Sequence, residues 1–267
     1  MKKVSFVIPC YRSAQTLPHV VKEIDDTMSR MKDYCYEIIM VNDCSPDDTF
    51  AAIEKLCAAP ENRPEAQRKG INLAKNFGQH SALMAGFHYV TGDIVVCLDD
   101  DGQTPADEVG KMLGGIEQGS DVVYARYAHK HHSGFRNWGS HVNELMTRVM
   151  LGKPKELYVS SYFAARRFVV DEMCRYTYAF PYVIGLVLRT TKNITNVDVN
   201  HRDREAGVSG YTLGKLLNLW FNGFTAFSVK PLRIATAAGS VCAVIGFLYG
   251  IYTIIKKIFF NPPGLVT

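Results

Sequence analysis

The 267-residue sequence predicts an α/β fold with a mostly parallel sheet, followed by an amphipathic interfacial helix and a C-terminal transmembrane helix. Apolar strand-like runs alternate with helix-like segments over about the first 125 residues. A stripe of apolar residues at helical spacing then lies within Thr212–Val229. Finally, Ile234–Ile255 contains 22 residues without a charge. As a helix this segment is ~33 Å long, enough to cross a hydrocarbon core of ~30 Å.

The predicted strands are short and nearly continuous apolar runs, which is typical of a sheet covered on both faces. They are Val4–Ile8, Tyr36–Val41, Ile71–Ala74, Asp93–Leu98, Asp121–Ala125 and Tyr158–Ala165. The predicted helices between them are Leu17–Met31, Phe50–Cys57, Gln79–Tyr89, Pro105–Glu117 and Trp138–Leu151. In such sheets ligands bind beyond the carboxyl ends of the strands, so residues at those ends are the first candidates for a site.

The segments divide the chain into a domain over residues 1–210, an amphipathic juxtamembrane helix over 211–230 and a transmembrane helix over 231–257. The alternative for the last two is a pair of core-packing helices, but flanking lysines and arginines disfavour it for the last helix. The tail over 258–267 ends abruptly, and we expect the sequence to be truncated before a second span.

Composition excludes several classes of protein. With 47% hydrophobic and 21% charged residues, the chain is not disordered, collagenous or a small disulfide scaffold. Its seven cysteines include no CxxC pair, which indicates reduced cytosolic thiols rather than a zinc site. The net charge of +4 hides an uneven distribution: residues 1–120 hold 12 basic and 18 acidic side chains, and residues 121–233 hold 16 and 8. An acidic half suits a metal, and a basic half suits phosphate or an anionic membrane.

The segment LDDDGQTP, residues 98–105, is the sharpest motif. Carboxylates at Asp99 and Asp101 follow a buried strand directly and can turn toward one pocket. Two carboxylates completed by substrate phosphates suit Mg²⁺. The alternative is a solvated acidic turn, which is disfavoured because three charges beside a buried strand are costly.

Two further strand ends carry candidate residues. Asp43, in VNDCSPDDT, either accepts hydrogen bonds from a base or ribose or forms a cap or turn before the next helix. Gly78, in NFGQHSALMAG, permits close approach of the backbone to a ligand. Neither GxGxxG nor GxxxxGK[ST] is present, which disfavours a nicotinamide dehydrogenase and a P-loop nucleotidase.

Basic residues for phosphate recognition are predicted in the second half of the chain. Arg is suited to bidentate phosphate binding, although a single Arg is more often a solvated surface residue. Arg136 lies one helical turn before Ser140, so both can share a face. The other candidates are Arg126, Arg202 and Arg204.

Together, FVIPCYRSAQTL, VNDCSPDDT, NFGQHSALMAG, LDDDGQTP and RDREAGVSGYTLGKLL occur in the order seen in family 2 glycosyltransferases of the GT-A fold. The chain resembles the branch of this family that makes polyprenyl-phosphate sugars. The resemblance covers essentially all of residues 3–255. It implies an inverting, membrane-associated hexosyltransferase that moves a sugar from a nucleotide-sugar to undecaprenyl phosphate, with UDP-sugars favoured and GDP-mannose possible.

The resemblance also implies roles for matching positions. Asp99 and Asp101 would bind Mg²⁺ or Mn²⁺ and the donor diphosphate, with Gln103 near the donor. The donor-binding positions would be Pro9, Tyr11, Asp43, Gly78, Asp99 and Asp100. The acceptor-phosphate positions would be Arg126, Arg136 and Ser140. The closing loop would contain Arg202, Arg204, Gly207 and Ser209, with Arg204 acting in catalysis.

The chain departs from the family pattern in two places. Arg12-Ser13 stands where Asn-Glu is usual, and Tyr162-Phe163 stands where Phe-Arg is common. Some relatives carry an acidic residue at the position of Ser161, so a catalytic base there is not supported. Two alternatives follow: a membrane-tethered glycosyltransferase with a saccharide acceptor, and a non-enzymatic nucleotide-sugar-binding subunit.

The expected setting is the inner membrane, with the catalytic domain on the cytosolic side. The expected partners are the nucleotide-sugar, the polyprenyl phosphate, the lipid membrane and further copies of the chain, and no nucleic acid.

Overall fold

One sheet organises the part of the chain that the computed structural model describes, which is residues 1–59, 66–127, 148, 152–200 and 230–260. Its strands are β1 (Lys2–Cys10), β2 (Tyr34–Asn42), β3 (Ala66–Asn72), β4 (Ile94–Cys97), β5 (Val122–Tyr127), β6 (Phe163–Arg166) and β7 (Ile194–Val199). They lie in the order β3-β2-β1-β4-β6-β5-β7. Strand β6 is antiparallel to β4 and β5, and the other pairs are parallel. The predicted mostly parallel sheet is therefore confirmed.

Helices cover both faces of this sheet. They are α1 (Leu17–Met28), α2 (Thr49–Ala58), α3 (Gln79–Phe87), α4 (Val109–Glu117), α5 (Arg167–Cys174) and α6 (Val183–Thr190). A further helix, α7 (Lys230–Phe260), lies near the C-terminus and does not cover the sheet. Ile24 of α1 and Met112 of α4 pack in one buried apolar cluster. Phe87 of α3, Val170 of α5 and Val187 of α6 pack in the other. Burial of such side chains contributes about 1.5–3 kcal/mol each, so the fully apolar strands hold the two layers together.

Two predicted strands begin five residues away from their expected starts. Strand β3 was expected at Ile71–Ala74 but spans Ala66–Asn72, because its first half contains three consecutive polar residues and so lacks an apolar signature. Those polar residues are stabilised by tertiary partners: buried Arg68 pairs with Asp25 of α1. Strand β6 was expected at Tyr158–Ala165 but begins at Phe163.

The structure also contains elements that the sequence pattern did not predict, namely α5, α6 and β7. Strand β7 carries Thr195, Asn196 and Asp198 and is only partly buried, so it lacks an apolar signature. The predicted helices Trp138–Leu151 and Thr212–Val229 lie outside the described residues, apart from Arg148. So do the loop after residue 200 and the proposed domain boundary at residue 210.

The predicted C-terminal apolar segment is helical. Within α7, residues Ala235–Phe259 form one helix of 25 residues with a mean hydropathy of 1.9, long and apolar enough to cross a membrane. None of its most apolar stretch is buried against the other described residues, so they give no support to a core-packing role for this helix. All seven cysteines are free.

A buried carboxylate fixes the amino end of the sheet. Glu37 of β2 is fully buried and accepts hydrogen bonds from the Ser5 hydroxyl at 2.6 Å, the Thr91 backbone N–H at 2.6 Å and Lys69 Nζ at 2.9 Å. Lys3 Nζ lies 3.3 Å away. Burial alone would raise the pKa of Glu37, but the hydrogen bonds from Lys69, Ser5 and Thr91 outweigh it and lower the pKa to about 2.

We expect Glu37→Gln to destabilise the fold by roughly 3 kcal/mol, because it leaves two lysines beside a buried amide. Since the folded-state pKa is depressed, the contribution of Glu37 is present above pH about 4.5 and is lost as the pH falls toward about 2. Thermal unfolding of the full chain in detergent measures this. The difference in unfolding midpoint between wild type and Glu37→Gln should shrink as the pH falls through that window. Glu117→Gln, which removes an exposed pair with Lys2, is the control and should change the midpoint little. An equal loss in both variants would contradict the assignment.

Candidate active site

Carboxylates from two strands meet at the carboxyl edge of the sheet, as the motif positions predicted. Asp43 follows β2, and the run Asp99–Asp101 follows β4. Strand β6 runs the opposite way, so its first residues arrive at the same edge and bring Ser161 there. Parallel pairing of β1 with both β2 and β4 sets these ends side by side. The edge therefore gathers acidic groups from separate parts of the chain.

Asp99 is held by two donors from different elements. The Gln79 amide of α3 donates to Asp99 Oδ1 at 2.8 Å, and the Ser161 hydroxyl donates to Oδ2. Burial raises the pKa of Asp99 to about 6, and the charges of the neighbouring carboxylates add to the effect. Asp101 Oδ1 accepts the Gln103 backbone N–H at 3.1 Å, which closes the turn after the motif. The carboxylates of Asp99 and Asp101 thus offer oxygen atoms, the ligands that hard cations prefer, in a polar and partly enclosed region.

Asp100 ties the acidic turn to the end of β1. Its Oδ2 accepts the Tyr11 backbone N–H at 2.9 Å, and burial raises the pKa of Asp100. The Tyr11 ring is 44% exposed, and the Arg12 guanidinium lies 5.6 Å from its centroid. Arg12 has a φ of +58°, and its backbone N–H donates to Ser45 Oγ at 2.7 Å. The segment after β1 is therefore fixed against both the β2 and β4 ends, with an aromatic face open to solvent.

Asp43 shapes the loop that starts α3. It is buried, and its carboxylate accepts the backbone N–H groups of Phe77 at 2.7 Å and Gly78 at 2.8 Å. Its own carbonyl accepts the Asn76 side-chain amide at 3.2 Å. Gly78 has a φ of +89°, a conformation that favours glycine and turns the chain into the helix. Of the two predicted roles, the geometry realises a turn-forming one, and it does so for α3 rather than for the next helix.

Arg126 lies on the same face of the sheet as Asp99. Cys97, Phe163 and Tyr124 are aligned across β4, β6 and β5, and side chains alternate along a strand. Asp99 and Arg126 each lie two residues further toward the carboxyl edge, so they share that face. The Arg126 guanidinium is half-exposed and pairs with both carboxylate oxygens of Asp198 on β7, at 2.6 and 3.0 Å.

The structure thus brings most of the described candidate residues to one edge. Pro9 is buried inside β1, opposite Val41, so its ring is part of the strand. Arg136, Ser140, Arg202, Arg204, Gly207 and Ser209 lie outside the described residues. Within the described ranges no group of three or more His, Cys, Asp or Glu side chains is arranged to hold a metal ion.

Two contact residues, Gln79 and Ser161, were not among the predicted site residues. Gln79 lies inside the NFGQHSALMAG motif, so the sequence indicated its position but not its hydrogen bond to Asp99. Ser161 precedes a strand whose antiparallel direction the sequence did not reveal.

The mostly parallel sheet with carboxylates at its carboxyl edge is the architecture of an α/β ligand-binding protein, and comparison with known proteins identifies its class. Residues 5–174 match the family described as glycosyl transferase family 2, and the chain belongs to this family. It is 34% identical over 262 residues to an undecaprenyl-phosphate 4-deoxy-4-formamido-L-arabinose transferase of Yersinia enterocolitica serotype O:8. That alignment covers 98% of this chain and 79% of the relative. The expectation of a glycosyltransferase enzyme is confirmed.

Solved structures support the fold. Glucosyl-3-phosphoglycerate synthase from Mycobacterium tuberculosis, in complex with Mn²⁺ and UDP-glucose, matches with a TM-score of 0.59 and 19% identity over 82% of this chain and 75% of that chain. Mannosyl-3-phosphoglycerate synthase from Rubrobacter xylanophilus matches with a TM-score of 0.60 and 16% identity over 88% and 75%. The GT-A fold expected from the sequence is therefore confirmed.

We expect Asp43→Ala to release the loop before α3. Each hydrogen bond to the carboxylate is worth about 1.5–3 kcal/mol, so the Phe77 and Gly78 amides should exchange with solvent roughly 10- to 100-fold faster. Amide hydrogen exchange of the full chain measures this. The control is Asp48→Ala, because Asp48 precedes α2 without a side-chain cap bond and its loss should leave both amides unchanged. Unchanged exchange in Asp43→Ala would contradict the loop-holding role.

Proposed function

We propose that the protein is an inverting glycosyltransferase that moves a sugar from a nucleotide-sugar to a polyprenyl phosphate at a membrane. The observation that carries the proposal is the half-buried acidic run after β4, which shares a face of the sheet with Arg126. The acidic run can bind a metal ion together with a diphosphate, and an arginine can bind the phosphate of an acceptor. The name of the relative supports undecaprenyl phosphate as acceptor and 4-deoxy-4-formamido-L-arabinose as the sugar.

The residues at the end of β4 fit a divalent cation. Asp99 is a half-buried carboxylate, and none of the ion pairs within the described ranges involves it, so a cation would compensate the desolvation that raises its pKa. Asp99 and Asp101 would hold the ion, and donor phosphates would complete its ligands. Mn²⁺ in the mycobacterial synthase supports this, and Mg²⁺ has the same ligand preference. When bound, the ion would neutralise charge on the departing diphosphate.

The donor is proposed to lie across the ends of β1 and β2. Asp43 holds the loop that carries Gly78 and Gln79, so it acts on the donor mainly by shaping this wall. The exposed Tyr11 ring offers a stacking surface, and Asp100 fixes the backbone beneath it. Gln103 lies at the exit of the acidic turn. UDP-sugars remain the favoured donor class, with GDP-mannose the other candidate.

The proposed reaction needs no strong base. A phosphate monoester already carries an anionic oxygen at neutral pH, and that oxygen forms the new bond to the anomeric carbon. The bond from that carbon to the nucleoside diphosphate breaks on the opposite side, which inverts the configuration. The protein contributes position and charge. Arg126, with Arg136 and Ser140, is proposed to hold the acceptor phosphate. Arg204, in the proposed closing loop with Arg202, Gly207 and Ser209, is proposed to neutralise the leaving group.

The setting is proposed to be the inner membrane with the site on the cytosolic side, where nucleotide-sugars are made. The apolar helix Ala235–Phe259 is suited to hold the enzyme there. Self-association stays a prediction from the family resemblance, as do the segment boundaries 1–210, 211–230 and 231–257.

The testing experiment is a screen of radiolabelled nucleotide-sugars, with and without undecaprenyl phosphate, in membranes that contain the full chain. We expect label in the lipid phase only when both substrates and Mg²⁺ or Mn²⁺ are present. Asp101→Ala should abolish transfer and weaken Mn²⁺ binding measured without turnover, while Asp107→Ala, an acid outside the motif, should do neither. Transfer to a saccharide acceptor, or donor binding without transfer to any lipid, would overturn the proposal. Full activity in Asp101→Ala would overturn the metal role.

We expect Arg126→Ala to raise the KM for the lipid phosphate at least several-fold with little change in the donor KM, because it removes a bidentate phosphate donor. Asp198→Ala should also change the KM for the lipid phosphate, because the Arg126 guanidinium then loses its carboxylate partner. Steady-state kinetics in vesicles measure both. If the pair is only a surface salt bridge, both variants will match wild type.

A further inference from the structure

A ring contact places two surface segments beside the active site. The His80 ring packs edge-on against Tyr182, with centroids 5.1 Å apart. His80 directly follows Gln79, whose amide donates to Asp99 at 2.8 Å. The segment that leads into α3, residues 74–78, and the segment that leads into α6, residues 175–181, therefore meet at the edge of the sheet where Asp99 lies.

Both segments expose large aromatic side chains. Phe77 is 51% exposed, Tyr178 78% and Phe180 63%. Single exposed aromatics are ordinary, but three on adjoining segments form an apolar surface. Two cations accompany them: Lys75 Nζ lies 4.8 Å from the centroid of the Phe77 ring, and the Arg175 side chain is 76% exposed. We call these five residues the aromatic rim.

The backbone holds the rim in its exposed form. Phe180 has a φ of +58°, a left-handed conformation that is costly for a bulky residue. The Tyr176 hydroxyl donates to the Ala179 carbonyl at 3.2 Å, and its ring packs 5.5 Å from that of Tyr178. This loop is thus folded on itself and directs apolar rings outward instead of into the core.

We propose that the aromatic rim docks into the interfacial layer of an anionic bilayer, so that the active-site edge faces the lipid headgroups. Aromatic rings are favoured at the membrane interface, and nearby Lys and Arg are attracted to anionic lipids. The chain itself carries a membrane-length apolar helix, Ala235–Phe259, none of whose most apolar stretch is buried. A helix that crosses the bilayer would hold the aromatic rim close to the lipid surface. The proposal adds a lipid-contact surface to the proposed function.

A bilayer suits the rim better than a second copy of the chain does. A symmetric contact between two rims would place Lys75 and Arg175 of one copy against those of the other, and like charges oppose association. Glu172, which pairs with Arg175 at 3.0 Å, supplies one acidic group beside the cations. An anionic headgroup layer satisfies the apolar rings and the cations together.

The test is quenching of a tryptophan placed in the rim of the full chain. The protein is reconstituted in vesicles of phosphatidylethanolamine and phosphatidylglycerol, with or without brominated acyl chains. Tyr178→Trp and Phe168→Trp are compared with wild type, which has two tryptophans, so that only the added emission counts. Phe168 is a matched control because it is 48% exposed and lies at the opposite edge of the sheet, where the Arg167 N–H bonds the Asp93 carbonyl.

We expect the added emission at position 178 to be strongly quenched by brominated lipid, since an interfacial ring lies about 5–10 Å into the headgroup and acyl boundary. At position 168 aqueous acrylamide should quench instead. Quenching of position 178 by acrylamide to the same extent as position 168 would overturn the proposal. So would protection from both quenchers, which would indicate a protein contact such as a second copy. The readout needs no turnover, so its failure is distinct from failure of glycosyl transfer.

Discussion

The desolvation of Asp99 and Asp100, two consecutive carboxylates that follow the buried strand β4, is the constraint around which the site is built. Each carboxylate of the run Asp99–Asp101 is hydrogen-bonded by a different part of the chain. Asp99 accepts hydrogen bonds from α3 and from the approach to β6, Asp100 from the backbone after β1, and Asp101 from its own turn. These bonds connect separate elements at one point. The hydrogen bonds that offset the desolvation of the acid groups therefore also fix the positions of the elements around the site.

The two ends of the sheet show how burial has opposite results for two carboxylates. At the amino end, Glu37 is paired with lysines, and its pKa falls to about 2. At the carboxyl end, Asp99 has only neutral donors among its described partners, and burial raises its pKa to about 6. The fold itself supplies the cationic partners of the first carboxylate, Glu37. The second has no cationic partner among the described residues, and carboxylates perturbed in this way cluster at functional sites.

The strands with continuous apolar runs, β1, β2 and β4, were predictable because burial on both faces leaves a strong local signal. The positions of Asp43 and Asp99 at strand ends followed directly. Strands β3 and β7 were missed or misplaced because their polar residues are satisfied by distant partners, as in the pair of Arg68 with Asp25. Ser161 was missed for the same reason, since its contact depends on the antiparallel direction of β6. Long-range pairing, rather than local pattern, decides these cases.

The uneven charge of the chain can now be related to the fold. The acidic first half supplies the carboxylates at the ends of β2 and β4, and Arg126, which begins the predicted acceptor set, lies on β5 from the basic half. Both halves contribute strands to the same sheet, and the small net charge is the sum of an acidic and a basic half. A diphosphate-bound metal and a phosphate acceptor need such opposite environments within bond-forming reach of each other. Folding the two halves into one sheet brings residues of both to its carboxyl edge, and the basic half is followed by a helix long and apolar enough to cross a membrane.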